Sequence, residues 1–344
     1  MGTRETWAEI SIEALTNNYK QLRLSYNKEV FPVLKANAYG HGDIEVGKYL
    51  EDHDSKLFCV SSLDEAIHLK ENGITRDILI FSYVSPSMII EKNGFDFIYT
   101  VANTQWINEV ESLNLKLRLH LEVNVGMNRY GIKTLEEVIN ISNKHKLEGI
   151  YMHFQRPEVS DLAQNQLREF RRIVDSLETK PQWVHVGNAS VDLVSRENWI
   201  NGVRVGLGLY GYRDDVENLI PVLSLYSRVT HLQKLYEKET IGYEYSYTVE
   251  KSGMFGTMPI GYADGFDMAN STLPLFIKNK AYSIVGKVCM DQTMLALDDS
   301  VEFYDVIELI GSNRSLKAIS NVTGKSLYWL LTDIKERIER VYIK

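Results

Sequence analysis

The chain has 344 residues, a net charge of −8, 44% apolar residues and 24% charged residues. That length allows about two domains, and the composition is that of an ordinary globular protein with material for a full core. No basic stripe stands out, which excludes nucleic acid as an expected partner, and no apolar run nears the ~18 residues of a membrane span.

Two cysteines, Cys59 and Cys289, lie far apart between apolar residues. They read as buried free thiols of a reducing cytoplasm, not as a disulfide framework. The histidines show no H-x-x-x-H spacing and no C-x-x-C occurs, so no metal site is expected. No signal-peptide pattern opens the chain, which fits a cytoplasmic location. The start, Met1-Gly-Thr-Arg-Glu-Thr6, fits a myristoylation pattern only formally.

Eight short apolar, β-branched or aromatic runs follow in order: Val30–Leu34, Leu57–Ser61, Ile78–Ser82, Phe97–Val101, Leu117–Val123, Gly149–Phe154, Trp183–Gly187 and Val203–Leu209. Between most of them lie polar segments with helical spacing, such as Leu63–Asn72, Leu135–His145 and Leu162–Leu177. Strands alternating with helices imply parallel pairing, and eight units imply a (β/α)8 TIM barrel. The texture changes near Pro221–Ser227. Beyond it, Leu223–Leu235, Gly253–Ile260, Leu275–Val285 and Thr293–Leu297 read as β-type stretches, and Leu327–Arg340 reads as a closing amphipathic helix. The predicted fold is an α/β barrel over residues 8–225. A mostly-β C-terminal domain takes 226–344 together with 1–7.

In such a barrel the working residues stand at the carboxyl ends of the strands. Lys35 follows the first strand and leads into Ala36-Asn37-Ala38-Tyr39-Gly40-His41-Gly42. A half-buried ammonium loses basicity and becomes an amine nucleophile; a lysine snorkelling from a strand end is the bland alternative. Other strand-end residues are Glu122, Asn124 and Arg129, then His153, Asn188-Ala189-Ser190, and Arg204 with Gly206. His153 is equally readable as a satisfied strand-end histidine. Gly206-Leu207-Gly208-Leu209-Tyr210-Gly211 is a formal G-x-G-x-x-G, but its glycines open no helix. A local phosphate nest of glycine amides suits that position better than a dinucleotide site.

Pro32–Gly42 resembles the pyridoxal-phosphate signature of the alanine racemase family. Further motifs follow in that family's order: Trp7–Ile10, Gly126–Gly131, His153-Phe154, Arg204–Gly211, Ile241–Tyr243, Pro259–Gly265, Val288–Gln292 and Arg337-x-x-Arg340-x-Tyr342. The resemblance spans the chain. It implies a barrel that binds pyridoxal 5′-phosphate, a β domain, a homodimer with shared active sites, and a role in supplying D-alanine for cell-wall peptidoglycan.

The resemblance also assigns roles. Lys35 would hold the cofactor and act as one base. Tyr243, reaching in from the second subunit, would be the other, with His153 as its hydrogen-bond partner. Arg204 would face the pyridine nitrogen; a guanidinium only donates, so that nitrogen stays neutral and the electron sink is restrained. Tyr39, Asn188, Ala189, Ser190, Gly206, Leu207 and Tyr328 would also contact the cofactor, most of them at its phosphate. Arg129 and Met290 would meet the substrate carboxylate, and Tyr262 and Asp291 would line the entrance.

Several positions depart from the family pattern. Glu122 stands where many members carry a carbamylated lysine that pairs with the arginine, and it supplies that charge directly. Asn124 replaces an aspartate. Ala189 replaces a phosphate-binding serine, so that side-chain contact is either lost or taken over by Ser190. Gln155-Arg156-Pro157-Glu158 and Glu244-Tyr245 replace small residues. Tyr328 beside the side-chain pocket favours alanine over serine. Serine or broad-specificity racemisation is the alternative. A decarboxylase would need a carboxylate in place of Arg204, although Cys289 supplies a thiol in the second domain. Non-catalytic pyridoxal-phosphate carriers resemble the barrel alone.

Overall fold

The computed structural model describes residues 4–158, 160–266 and 268–344. Contacts divide the chain into two units. One holds Ala14–Ala38 and Asp43–Ile220; the other holds the N-terminal segment through Glu13, Tyr39–Gly42 and Pro221–Lys344. The first strand, β1 (Thr6–Ser11), belongs to the second unit.

The first unit is the expected barrel. Its strands are β2 (Glu29–Pro32), β3 (Leu57–Val60), β4 (Asp77–Ile80), β5 (Ile98–Val101), β6 (Arg118–Glu122), β7 (Leu147–His153), β8 (Trp183–Gly187) and β9 (Gly202–Val205). All pair in parallel, in the order β2-β9-β8-β7-β6-β5-β4-β3. A parallel bridge between Val33 and Cys59, with a Leu34 N–H to Cys59 carbonyl bond of 2.8 Å, joins the two ends. Every residue of β3, β5 and β9 is buried. Such buried, mostly apolar runs suit strands covered on both faces, with Thr100 and Arg204 as polar exceptions. Several of the intervening helices begin on side chains that satisfy their first free amides. Ser62 with Glu65 forms a capping box, and Ser85, Asn103, Thr134 and Ser160 each accept a backbone N–H. The last strand ends at Val205, four residues before the sequence pattern does, because the chain turns back on itself from Gly206 to Tyr212.

The second unit is mostly β. Its further strands are β10 (Leu223–Arg228), β11 (His231–Leu235), β12 (Thr240–Ile241), β13 (Tyr247–Thr248), β14 (Gly253–Met258), β15 (Leu275–Ile277), β16 (Lys280–Tyr282), β17 (Ile284–Val285), β18 (Thr293–Leu297), β19 (Val306–Ile310) and β20 (Glu339–Ile343). A six-stranded sheet runs β16-β15-β19-β10-β1-β20, and a four-stranded sheet runs β11-β14-β18-β17. Leu223–Leu235 is therefore not one stretch, since β10 and β11 lie in different sheets. Cys59 is buried and Cys289 half-buried, and both are free. No helix among the described residues is long and apolar enough to cross a membrane.

The closing helix expected at Leu327–Arg340 is corrected. The helix covers Leu327–Thr332 only, and the chain ends as β20, parallel to β1. The segment after Thr332 is held in a turn by Arg340, whose guanidinium donates to the carbonyls of Ile334, Lys335, Ile338 and Gly40 at 2.6–3.0 Å. The guanidinium thus folds the turn ahead of β20 around itself and ties it to Gly40. Arg340→Ala withdraws a donor from four carbonyls, so its urea unfolding midpoint should fall with a loss of about 2–4 kcal/mol. An unchanged midpoint would show that β20 holds without this clamp.

Candidate active site

The carboxyl rim of the barrel gathers the predicted residues of the first unit. Lys35 stands three residues past β2, His153 ends β7, Gly187 ends β8, and Arg204 is the penultimate residue of β9. The chain beyond Lys35 winds into a left-handed turn. Ala36, Asn37, Ala38 and Tyr39 have φ of 53°, 54°, 51° and 54°, and the Ala38 N–H bonds the Leu34 carbonyl at 2.8 Å. Each such residue costs roughly 1–2 kcal/mol, a strain typical of functional sites. Glu65 supports the turn: one carboxylate oxygen accepts the Ala36 N–H at 2.8 Å and the other accepts from Ser61 at 2.7 Å.

Burial lowers the basicity of Lys35, and Arg129 lowers it further, against a raising pull from Glu65. Arg204 is buried, and its charge stays because a guanidinium does not deprotonate in a protein. Its Nη1 donates to His185 Nδ1 at 2.7 Å and its Nη2 to the Met152 carbonyl at 2.8 Å. It lies over the Tyr151 ring at 4.2 Å. Burial, with Arg204 and Arg129 nearby, drives His153 down to about 3, so its imidazole is neutral. Gly187 is required here, because a Cβ would meet Arg204 Nη2 at 2.5 Å and His153 Nδ1 at 2.8 Å.

Glu122 is buried, and burial raises its carboxyl against the pull of Arg204 and Arg129. It accepts from the Tyr151 hydroxyl at 3.3 Å. Among the described residues it forms no ion pair with Arg129, so the direct pairing expected from the sequence is not seen. Asn188 sits at φ 53° and donates to the Phe154 carbonyl at 3.0 Å. Ala189 offers only its carbonyl, taken by Tyr26 and Arg213. Ser190 has a buried hydroxyl with no partner and does not cap the helix that starts at Val191. Gly206 and Leu207 lie in the turn after β9.

The second unit holds the other candidates. Tyr39 and Tyr328 face each other with ring centroids 5.9 Å apart. Tyr243 is 70% exposed in a short turn that starts at Gly242, with Glu244 and Tyr245 at φ 57° and 53°. An ion pair from Glu244 to Lys287 pins that turn. Tyr262, Met290 and Asp291 form one cluster around buried Asp264. The Tyr262 and Ala263 amides donate to the Cys289 and Met290 carbonyls at 3.1 and 3.0 Å. Arg4 binds Asp264 at 2.6 Å, and Arg337 joins Asp264 to Asp291 at 3.0 and 2.7 Å.

Chain-wide comparison decides the family. Residues 10–214 match the model "Alanine racemase, N-terminal domain" and residues 222–342 match "Alanine racemase, C-terminal domain". The chain belongs to the alanine racemase family. This racemase is 33% identical over 361 residues to the alanine racemase of Lactococcus lactis subsp. cremoris, covering 98% of each chain. The crystal structure of alanine racemase from E. faecalis has 32% identity and a TM-score of 0.90, over 99% of this chain and 98% of that one. A histidine racemase from Leuconostoc mesenteroides subsp. sake has 25% identity and a TM-score of 0.89, over 100% and 99%.

Sequence reasoning about this racemase missed His185, His120 and Tyr151, which face the barrel interior behind Arg204. Their signal was present: they alternate with apolar neighbours at the inward positions of β6, β7 and β8. His120 and His185 are fully buried; burial and Arg204 hold His120 at about 3 and His185 well below its ordinary value. In the unfolded chain both protonate near 6.5. Below that pH the unfolded state binds protons that the folded state refuses, so stability falls as pH falls. Urea unfolding should give a free energy lower by about 1 kcal/mol per histidine at about pH 5 than at about pH 6. Equal values would contradict their neutral burial.

Proposed function

We propose that this chain interconverts L- and D-alanine with pyridoxal 5′-phosphate. It works as a cytoplasmic homodimer with shared active sites and supplies D-alanine for cell-wall peptidoglycan. The observation that carries the reading is the barrel rim itself, where an amine of lowered basicity, Lys35, stands in the field of the same cation, Arg129, that acts on buried Arg204. The residues present suit the cofactor. Lys35 offers a nucleophilic amine. The bonds of Arg204 occupy Nη1 and Nη2 and leave Nε for the pyridine nitrogen. The unpartnered Ser190 hydroxyl, beside the left-handed Asn188, suits a phosphate oxygen.

When bound, pyridoxal phosphate supplies an electron sink that makes the substrate α-proton removable. Arg204, as a donor only, keeps that sink weak and so favours return of the proton over loss of another group. Lys35 Nζ moves the proton on one face. Tyr243 Oη, from the second chain of the dimer, moves it on the other, since inversion needs a group on each side. Neutral His153 accepts from the Tyr243 hydroxyl and eases its proton release. Arg129 and the Met290 amide bind the substrate carboxylate, with Tyr262 and Asp291 at the entrance. A decarboxylase is disfavoured because Arg204 stands where that chemistry would need a carboxylate.

A second reading rests on the histidine racemase likeness and on the segment after β7, where Arg156 and Glu158 form an exposed ion pair at 3.4 Å. Charged residues there suit a longer side chain. Chiral chromatography after incubation with L-alanine, L-serine and L-histidine separates the readings. D-alanine should form fastest, and Lys35→Ala and Tyr243→Phe should each lower turnover ~10²–10⁴-fold. D-histidine formed faster than D-alanine would overturn the alanine assignment.

A further inference from the structure

The interior of the barrel behind Arg204 carries a chain of hydrogen bonds whose direction is fixed. Arg204 Nη1 sits 2.7 Å from His185 Nδ1, and His185 Nε2 sits 2.9 Å from His120 Nδ1. A guanidinium only donates, so His185 Nδ1 must be the bare nitrogen. A neutral imidazole then carries its proton on Nε2 and donates it to His120 Nδ1. His120 Nδ1 must be bare in turn, and its proton sits on Nε2. That atom is buried and has no partner among the described residues. Reversing the chain would leave that atom a bare acceptor, still without a partner among the described residues, and would set two donors against each other at Arg204. The unsatisfied donor at the far end is the consequence of holding the near end in one state.

The backbone is shaped for this chain. His120 is on β6 and His185 on β8, so the contact must cross β7. Gly149 of β7 is the residue paired with His120. A Cβ at Gly149 would lie 2.6 Å from Cε1, Nδ1 and Nε2 of the His120 ring. The missing side chain is the opening through which the ring reaches His185. Tyr151, two residues on, covers His185 with a ring separation of 4.8 Å. Burial and the nearby Arg204 and Arg118 keep His120 neutral.

We propose that His120, admitted by Gly149, is a positioning residue: through His185 it locks the Arg204 guanidinium in the orientation that presents Nε to the pyridine nitrogen of the cofactor. The purpose of this lock rests on the pyridoxal-phosphate reading, whereas its proton arrangement does not. His120 acts through His185 and does not touch the cofactor.

Two measurements test it. In the full chain without cofactor, labelled with 15N-histidine, His120 and His185 should both be protonated at Nε2 and bare at Nδ1. A proton on Nδ1 of either would overturn the chain whatever the enzyme does. The second measurement is the dissociation constant of pyridoxal phosphate, read from protein fluorescence. His120→Leu removes the acceptor, and Gly149→Ala displaces the ring without removing a polar group. Both should weaken binding about tenfold. His120→Asn restores an acceptor near the Nδ1 position and should stay within about threefold of the unaltered protein. Melting temperatures should fall alike for His120→Leu and His120→Asn, so that stability alone cannot produce the split. Equal dissociation constants for the two would overturn the positioning role. Absence of racemisation with this pattern intact would count against the racemase reading instead.

Discussion

One guanidinium, Arg204, is buried where parallel strands converge, and much of the barrel answers to it. A cation in such a place needs acceptors and cannot shed its proton. The strands supply them: His185 from β8, the Met152 carbonyl from β7, and the faces of Tyr151 and Phe81. Its field also reaches groups that it does not touch. It helps to hold His153 and His120 neutral and pulls down against the burial of Glu122. The neutral histidines, the raised carboxyl and the bare Gly187 are conditions for one charge to be kept in place.

The rim adds strain to charge. Four successive left-handed residues follow Lys35, and only tertiary support makes such a turn persist. Glu65 supplies that support from the capping box of the helix after β3, holding Ala36, Ser61 and Ser62 together. In the second unit the same logic appears at Gly261, where a Cβ would meet the Cys289 and Met290 carbonyls at 2.2 and 2.4 Å. The backbone there must pass close to Met290, and Asp264 fixes it through the Gly261 amide at 2.9 Å. Each candidate residue is thus aimed by a neighbour that does no chemistry itself.

The barrel was legible because most of its buried parallel strands are short, largely apolar runs and many of its helices begin on a recognisable cap. Lys35 and Arg204 were legible as charged residues at strand ends, and the family motifs gave them neighbours. The C-terminal sheet was less so. Its strands pair over long distances: Thr6–Ser11 lies between Leu223–Arg228 and Glu339–Ile343, an arrangement that local periodicity does not encode. Leu327–Arg340 has helical spacing, yet its last residues pair with Thr6–Ser11 as a strand, a partner at the other end of the chain. His120 and His185 stood at inward strand positions, but the contact between them was not legible. Their meaning lies in a missing side chain at Gly149, on a strand between them.

The family likeness extends to proteins whose names record different substrates, alanine in most and histidine in one. What the barrel rim holds therefore comes before the question of which amino acid it turns over. The most direct test is to load the protein with pyridoxal phosphate, reduce it with borohydride and map the modified peptide by mass spectrometry. A single adduct, on Lys35, is the expected result. An adduct on another lysine, or none on a protein that has bound the cofactor, would contradict the role given to Lys35.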